Sequence, residues 1–289
     1  VAGTGAYTNA SGDDYVAWCW KANGGTTSSN TDGTITSTVQ ANTKAGFSIV
    51  SYTGNGTASS TIGHGLSEAP DIVLVKAKSA AYDWQLFSKE VSTATYPTLN
   101  GRLHLNNTLA ALFDSYTVEV ADNTFEWTGL ASTFEYFNQN NTTYIAYCFA
   151  QKAGYSKFGT YTGNGSTNGP IVNTGFEPAM VIVKVTSSSG YNWYIVDNKR
   201  DLTNPRKTIL YPNLNNAEVT SNWLDFYSNG FKVITTSGGA NLNGATIFYI
   251  AFAADPSTAP VLADSFTTNL YTGNSGTKIL GTGFQPSLV

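Results

Sequence analysis

The sequence predicts an all-β protein made of tandem β-sandwich, jelly-roll-like modules. Three observations lead there. Aromatic residues form 13% of the chain and charged residues only 12%, with 28 glycines; strands favour aromatic and β-branched residues, and turns favour Gly and Asn. A short motif returns twice: Tyr52-Thr-Gly-Asn-Gly56, Tyr161-Thr-Gly-Asn-Gly165 and Tyr271-Thr-Gly-Asn-Ser-Gly276, starting 109 and then 110 residues apart. Short apolar runs alternate with breaks rich in Gly and Asn, the pattern of many short strands.

Each copy reads in the same order. A strand ends at Tyr52 or Tyr161, and the motif residues Gly54, Asn55 and Gly56, or Gly163, Asn164 and Gly165, follow. Asn-Gly is the preferred pair of a tight hairpin, because both residues tolerate positive φ, so a hairpin turn is expected at each. Pro70 and Pro178 then precede apolar runs, as proline suits the first residue of a strand. The run Ile72 to Val75 is apolar on both faces and reads as a central strand. Trp84 and Trp193, 109 residues apart, mark the next strand. A variable middle follows, with Thr108 to Ser115 as the best short helix candidate. Phe125 and Phe231 precede closing strands such as Tyr144 to Phe149, again apolar on both faces. Cys19 and Cys148 occupy matched positions in Tyr15-Val-Ala-Trp-Cys-Trp20 and Tyr144-Ile-Ala-Tyr-Cys-Phe149, and Ala253 is aligned with them. They are expected to be small buried side chains without a mutual disulfide, which suits folding in a reducing compartment.

The expected organisation is 1–44, a closing strand of a preceding repeat plus a linker or surface hairpin (Lys21 to Lys44); 45–154, repeat one; 155–260, repeat two; and 261–289, the opening hairpin of a third. Both ends then carry strands without module-mates, so the chain is expected to be part of a longer array. A strand such as Tyr15 to Trp20, apolar on both faces, is expected to pair with the main body, with further sequence or with a neighbouring chain.

The chemistry points away from catalysis. A net charge of −4 and a pI near 5.1 offer no basic field for nucleic acid. No apolar run approaches the roughly 20 residues needed to span a membrane. The two histidines are His64 and His104; Gly63-His-Gly65 reads as a surface turn. Nucleophile elbows, phosphate loops and dinucleotide fingerprints are absent. Asn30-Thr-Asp-Gly-Thr34 lacks the spacing of a calcium loop and reads as a turn. Asp13-Asp14 aligns with uncharged Thr142-Thr143. No catalytic residue, metal or cofactor is therefore expected. Glu90 and Glu126 are the carboxylates a glycosidase would have to bring together. Trp84 and Trp193 recur, which suits packing. Trp127, Tyr191 and Trp223 do not recur in kind, so they are the candidates for a copy-specific contact with a sugar ring.

The stretches "DDYVAWCWKANGG", "FSIVSYTGNGT", "GLSEAPDIVLVK", "SKFGTYTGNGS", "TGFEPAMVIVK", "WLDFYSNGFKV" and "FYIAFA" resemble tandem repeats in virion proteins of marine tailed phages, cyanophages among them. The resemblance spans most of the chain outside the variable middles at about 85–120 and 195–220. It implies a structural or fibre-like component at the virion surface or outside the cell, folded first in a reducing cytoplasm. Its partners would be other copies of itself or other virion proteins, with a cell-surface glycan or receptor at the variable loops. It carries over no catalytic or binding residue. Two other readings stay open: a tail-spike polysaccharide depolymerase, and a bacterial extracellular filament or adhesin.

Overall fold

The computed structural model describes residues 9–128, 135–253, 266–273, 275 and 280–282. β1 (Asp14–Trp20) is followed by β2 (Ser28–Asn30), β3 (Ser37–Asn42) and β4 (Phe47–Thr53). Next come β5 (Thr61–Gly63), β6 (Ile72–Ala77), β7 (Gln85–Ser88), β8 (Thr98–Leu99) and β9 (Arg102–His104). β10 (Val118–Val120), β11 (Thr124–Trp127) and β12 (Thr143–Phe149) complete the first half. The second half contains β13 (Ser156–Thr162), β14 (Ile171–Asn173), β15 (Pro178–Val185), β16 (Trp193–Asp197), β17 (Arg206–Ile209), β18 (Val219–Tyr227) and β19 (Gly230–Val233). A one-turn helix α1 (Gly238–Asn241), β20 (Thr246–Ala253) and β21 (Phe266–Thr272) follow.

The strands build two sandwiches and one strand pair. In the first sandwich the sheet β2-β3-β4-β12-β6-β7-β9 packs on β5-β11-β10-β8; in the second, β13-β20-β15-β16 packs on β14-β19-β18-β17. Alternation makes each core. β12 buries Tyr144, Ala146 and Cys148 on one face, against Ile62, Val118, Phe125 and Trp127 of the opposing sheet. Val181, Val183 and Ala251 do the same against Leu224, Phe226 and Phe231 in the second sandwich. The other faces are also apolar, and they form a third core. Leu86, Leu103 and Phe149 meet Phe158, Met180, Trp193, Ile195, Phe248 and Phe252 there, joined by Trp18, Trp20 and Phe266. Two-sided apolar strands need cover on both faces, and each fully buried large side chain contributes about 1.5–3 kcal/mol. The two sandwiches therefore stand back to back, with the β1–β21 pair closing the same core.

Strand register relates the three parts. Tyr144 stands opposite Tyr52, Ile247 opposite Tyr161, and Tyr15 opposite Tyr271. The ring pairs Tyr52–Tyr144 and Tyr15–Tyr271 stack at the same 5.2 Å. Four positions further along, Cys148 faces Ser48, Cys19 faces Thr267, and Ala251 faces Lys157. The counterpart of the cysteines is thus Ala251, which corrects the alignment with Ala253. Side chains alternate with a period of two, so a two-residue slip leaves the in–out pattern intact and only pairing reveals it. Both thiols are free and buried, and burial pushes the Cys148 thiol up to about 12.

Other expectations are revised. The Asn-Gly motif is no hairpin: β4 and β5 lie in different sheets, so residues 54–60 cross between sheets. Gly56 and Gly165 take positive φ, whereas Asn55 and Asn164 do not. Thr108 to Ser115 is irregular rather than helical, with bends at Asp114 and Ser115, and Leu112 bridges to Arg102. Of the linker or surface hairpin expected over 21–44, the hairpin forms, β2 pairing antiparallel with β3 at the sheet edge, and it is not detached. β3 pairs with β4 along five residue pairs and buries Val39, and Ile35 before it is buried too, so a boundary at 44 would cut the sheet. Of the hairpin expected over 261–289, β21 and a few residues beyond it are described, and the remainder lies outside the described residues.

Candidate interaction cleft

The Tyr-Thr-Gly-Asn motif is a buried anchor. In the first sandwich the Gly56 and Asn55 amides donate to the Asn138 backbone and side-chain oxygens, both at 2.9 Å. Asn138 Nδ2 donates back to Asn55 Oδ1 (3.1 Å) and the Thr57 carbonyl (2.8 Å). In the second, Gly165 and Asn164 donate to Asn241 at 3.0 and 2.8 Å, and Asn241 Nδ2 donates to Asn164 Oδ1 and the Ser166 carbonyl. In the terminal pair, the Ser275 amide donates to the Asn9 carbonyl at 2.8 Å. A Cβ at Gly54, Gly163 or Gly273 would meet a carbonyl oxygen at 2.4, 2.2 or 1.9 Å, so glycine is required. The sequence signal missed here is an Asn three residues before a Gly or Asn that opens each closing strand. Gly12, Asn141 and Gly244 all take positive φ, and their amides donate to the Gly273, Gly54 and Gly163 carbonyls.

The Trp strands share a second clamp. The Trp84 amide donates to Asn106 Oδ1 (3.0 Å) and Asn106 Nδ2 to Asp83 (2.6 Å). The Trp193 amide donates to Asn213 Oδ1 (2.9 Å) and Asn213 Nδ2 to Asn192 (2.8 Å). Beside this shared scaffold the sandwiches diverge. Arg102 is buried in the first and donates to Gln85 (2.9 Å) and to Asp114 (2.5 Å), with His104 Nε2 at 3.0 Å. Its guanidinium lies 4.3 Å from the Tyr116 ring. Burial, then the Arg102 charge, lowers the pKa of His104. The matching positions in the second sandwich are Tyr194, Ile209 and Tyr211, and there the Tyr194 ring packs against those of Tyr211 and Trp223.

The three aromatic candidates do not come together. Trp127 is 3% exposed and stacks on Phe137 at 3.9 Å in the first core. Trp223 is 4% exposed and packs on Tyr194 in the second. Alternation turns the Trp127 indole inward, whereas Trp223 is buried next to its core neighbour Leu224, where the β17–β18 register shifts; burial removes both as sugar platforms. Tyr191 is half-buried over Gly238, and its carbonyl accepts from the buried Lys184 at 3.0 Å; burial lowers that lysine to about 8. His64 is buried rather than at the surface. The Leu66 amide donates to its Nδ1 (3.1 Å), so Nε2 carries the hydrogen and donates to the Ala121 carbonyl (3.0 Å). Burial lowers its pKa. Glu126 lies between inward-facing Phe125 and Trp127 and so points out from its sheet. Glu90 belongs to the other sheet's side, where Gln151 Nε2 approaches at 3.4 Å, so the two carboxylates form no pair. Asp32 donates its amide to Asn30 Oδ1 in an Asx turn. Among the described residues no His, Cys, Asp and Glu group has a metal-binding arrangement, and no helix is long and apolar enough to cross a membrane.

Among the described residues, a cleft of about 1080 Å³ lies between the β1–β21 pair and the second sandwich. Val16, Trp18, Leu210 and Leu270 give it an apolar lining, and Asp14 and Glu218 are among its polar residues. Arg200 is held there by Asp197 (2.7 Å) and Glu218 (3.4 Å), with its guanidinium 5.7 Å from the Trp18 ring. An apolar lining with polar groups suits binding.

The model of a domain of unknown function (DUF7483) matches residues 2–256. No curated protein and no solved structure matches the chain.

Proposed function

As the chain belongs to the DUF7483 family of domains of unknown function, we propose its role from its own geometry: a structural building block of an extracellular or virion appendage. One observation carries this reading. β1 and β21 come from opposite ends of the described chain, yet pair in the register of β12–β4 and β20–β13 and close with the same loop contacts. Parts of one design thus converge on a shared apolar core, which supports a rigid assembly unit. Exposed loops within 85–120 and 195–220 supply recognition of a glycan or receptor. The protein acts by assembly rather than turnover, with no cofactor.

Mass spectrometry and immunogold labelling of particles purified from the source are expected to place the chain in an appendage. Its absence from particles and filaments alike overturns the reading. Cleavage of a polysaccharide that is lost on substituting Glu90 or Glu126 establishes the spike enzyme instead.

A further inference from the structure

The interface between the two sandwiches shows how one module holds the next. Trp193 Nε1 donates to the His104 carbonyl at 2.8 Å. The Ala111 amide donates to the Thr186 carbonyl (2.8 Å), the Gly190 amide to the Thr108 carbonyl (2.9 Å), and the Ala110 amide to Ser189 Oγ (3.0 Å). Segment 104–111 of the first sandwich therefore grips the hairpin β15–β16 of the second.

The second sandwich has a matching segment. Asn213 repeats the clamp of Asn106, and Ile209 pairs with Val219 as Arg102 pairs with Leu112. Tyr211 then corresponds to His104, and Asn215–Glu218 to Thr108–Ala111. In the first sandwich Thr108, Ala110 and Ala111 are partly covered by the gripped hairpin; Asn215, Asn216, Ala217 and Glu218 are all exposed and line the cleft. The opposite wall of the cleft is the β1–β21 pair. β12 and β20 each have a second strand neighbour, β6 and β15, whereas among the described residues β1 belongs to a two-stranded sheet.

We propose that this cleft is a docking slot for a β-hairpin of the β15–β16 design. Its first strand adds antiparallel to β1, with an aliphatic residue opposite Trp20, as Ile72 stands opposite Phe149 and Met180 opposite Phe252. The tryptophan opening its second strand donates to the Tyr211 carbonyl, and its connecting turn takes the backbone of Asn215–Glu218. Strand addition supplies main-chain hydrogen bonds, and side-chain pockets supply selectivity. The occupant is identified by the interface already filled in this molecule: a proline-led aliphatic strand, a lysine and an Asx-Trp turn, as in Pro178–Asp197. The inference rests on the array reading only in taking that hairpin from a repeat of the same design.

The test adds a fluorescent peptide of residues 178–197 to the full chain and follows anisotropy, with hydrogen exchange of the Asn215–Glu218 amides as a second readout. Saturable binding is expected, with those amides slowed. Binding should fall at least about tenfold with a Trp193→Ala peptide, since buried tryptophans dominate such interfaces. It should fall similarly with Glu218→Pro or Leu270→Arg chains, both changed at exposed positions and checked by thermal melting. No saturable binding up to about 100 μM, or equal binding by all these variants, overturns the slot. So does a saccharide that protects the same amides while the peptide does not. If the peptide fails while the chain is found in particles, the slot falls and the appendage reading stands.

Discussion

Trp84 and Trp193 occupy one position in two sandwiches, with the same Asn clamp on their backbone. Their surroundings differ. Trp193 is fully buried and donates to a carbonyl of the other sandwich, while Trp84 is partly exposed and stacks on Tyr147 at 6.1 Å. Local sequence places both residues, but the neighbouring module decides how much each one stabilises.

Substitution breaks or sharpens the comparison. Trp193→Ala is expected to cost about 3–5 kcal/mol, in the range for emptying a buried aromatic site. Trp84→Ala is expected to cost about 1 kcal/mol, in the range for a partly exposed aromatic contact. Urea unfolding measures both, and equal losses would show that the shared core is not what separates them. Asn138→Ala and Asn241→Ala come next, at about 2–4 kcal/mol each, because each strips several hydrogen bonds and leaves buried partners unsatisfied. Here the two sandwiches should respond alike, since their locks are alike; a loss in only one would separate the loops.

A third experiment exchanges what differs. Arg102→Met leaves Asp114 without its ion pair and is expected to cost about 1–3 kcal/mol. Installing the second sandwich's residues, Gln85→Tyr, Arg102→Ile and His104→Tyr together, is expected to recover most of that loss, since well-packed apolar groups often replace a buried charge network without penalty. A triple variant less stable than Arg102→Met would mean that the network is required by its own surroundings.

The smallest effect is a pH response confined to the first sandwich. His64 holds its proton less tightly when folded than when unfolded, because burial disfavours the charged ring. As pH falls, the unfolded chain protonates first, near 6.5. Stability is then lost from that point down to the lowered folded pKa, and levels off below it. Melting temperatures from pH 7.5 to 5 should show this decline, reduced in His64→Gln if the glutamine keeps the Ala121 contact. An identical slope in the variant would assign the response to His104, whose pKa is lowered as well.

Much of the fold was legible before any tertiary contact was known. Two-sided apolar strands such as Tyr144 to Phe149 and Ile72 to Val75 announce central positions, and β12 and β6 hold them. The candidate site was less legible. Trp127 and Trp223 are copy-specific in sequence, but both are buried in the cores of their sandwiches. The cleft is made by residues 200 positions apart, such as Trp18 and Glu218, and no local pattern joins them.

Composition and alternation alone determined an all-β chain, because each residue's side of a strand follows from its own neighbours. The partner of each strand is another matter. Asn-Gly by itself predicts a hairpin, the favoured local solution, yet the buried amides of Asn138 and Asn241, some 80 residues away, turn the loop into a crossing between sheets. Register also stayed hidden, since a two-residue slip preserves every facing, and only paired strands fixed Ala251 as the counterpart of Cys148. Tertiary structure decided these points because a buried polar group must find its partner wherever the fold brings one.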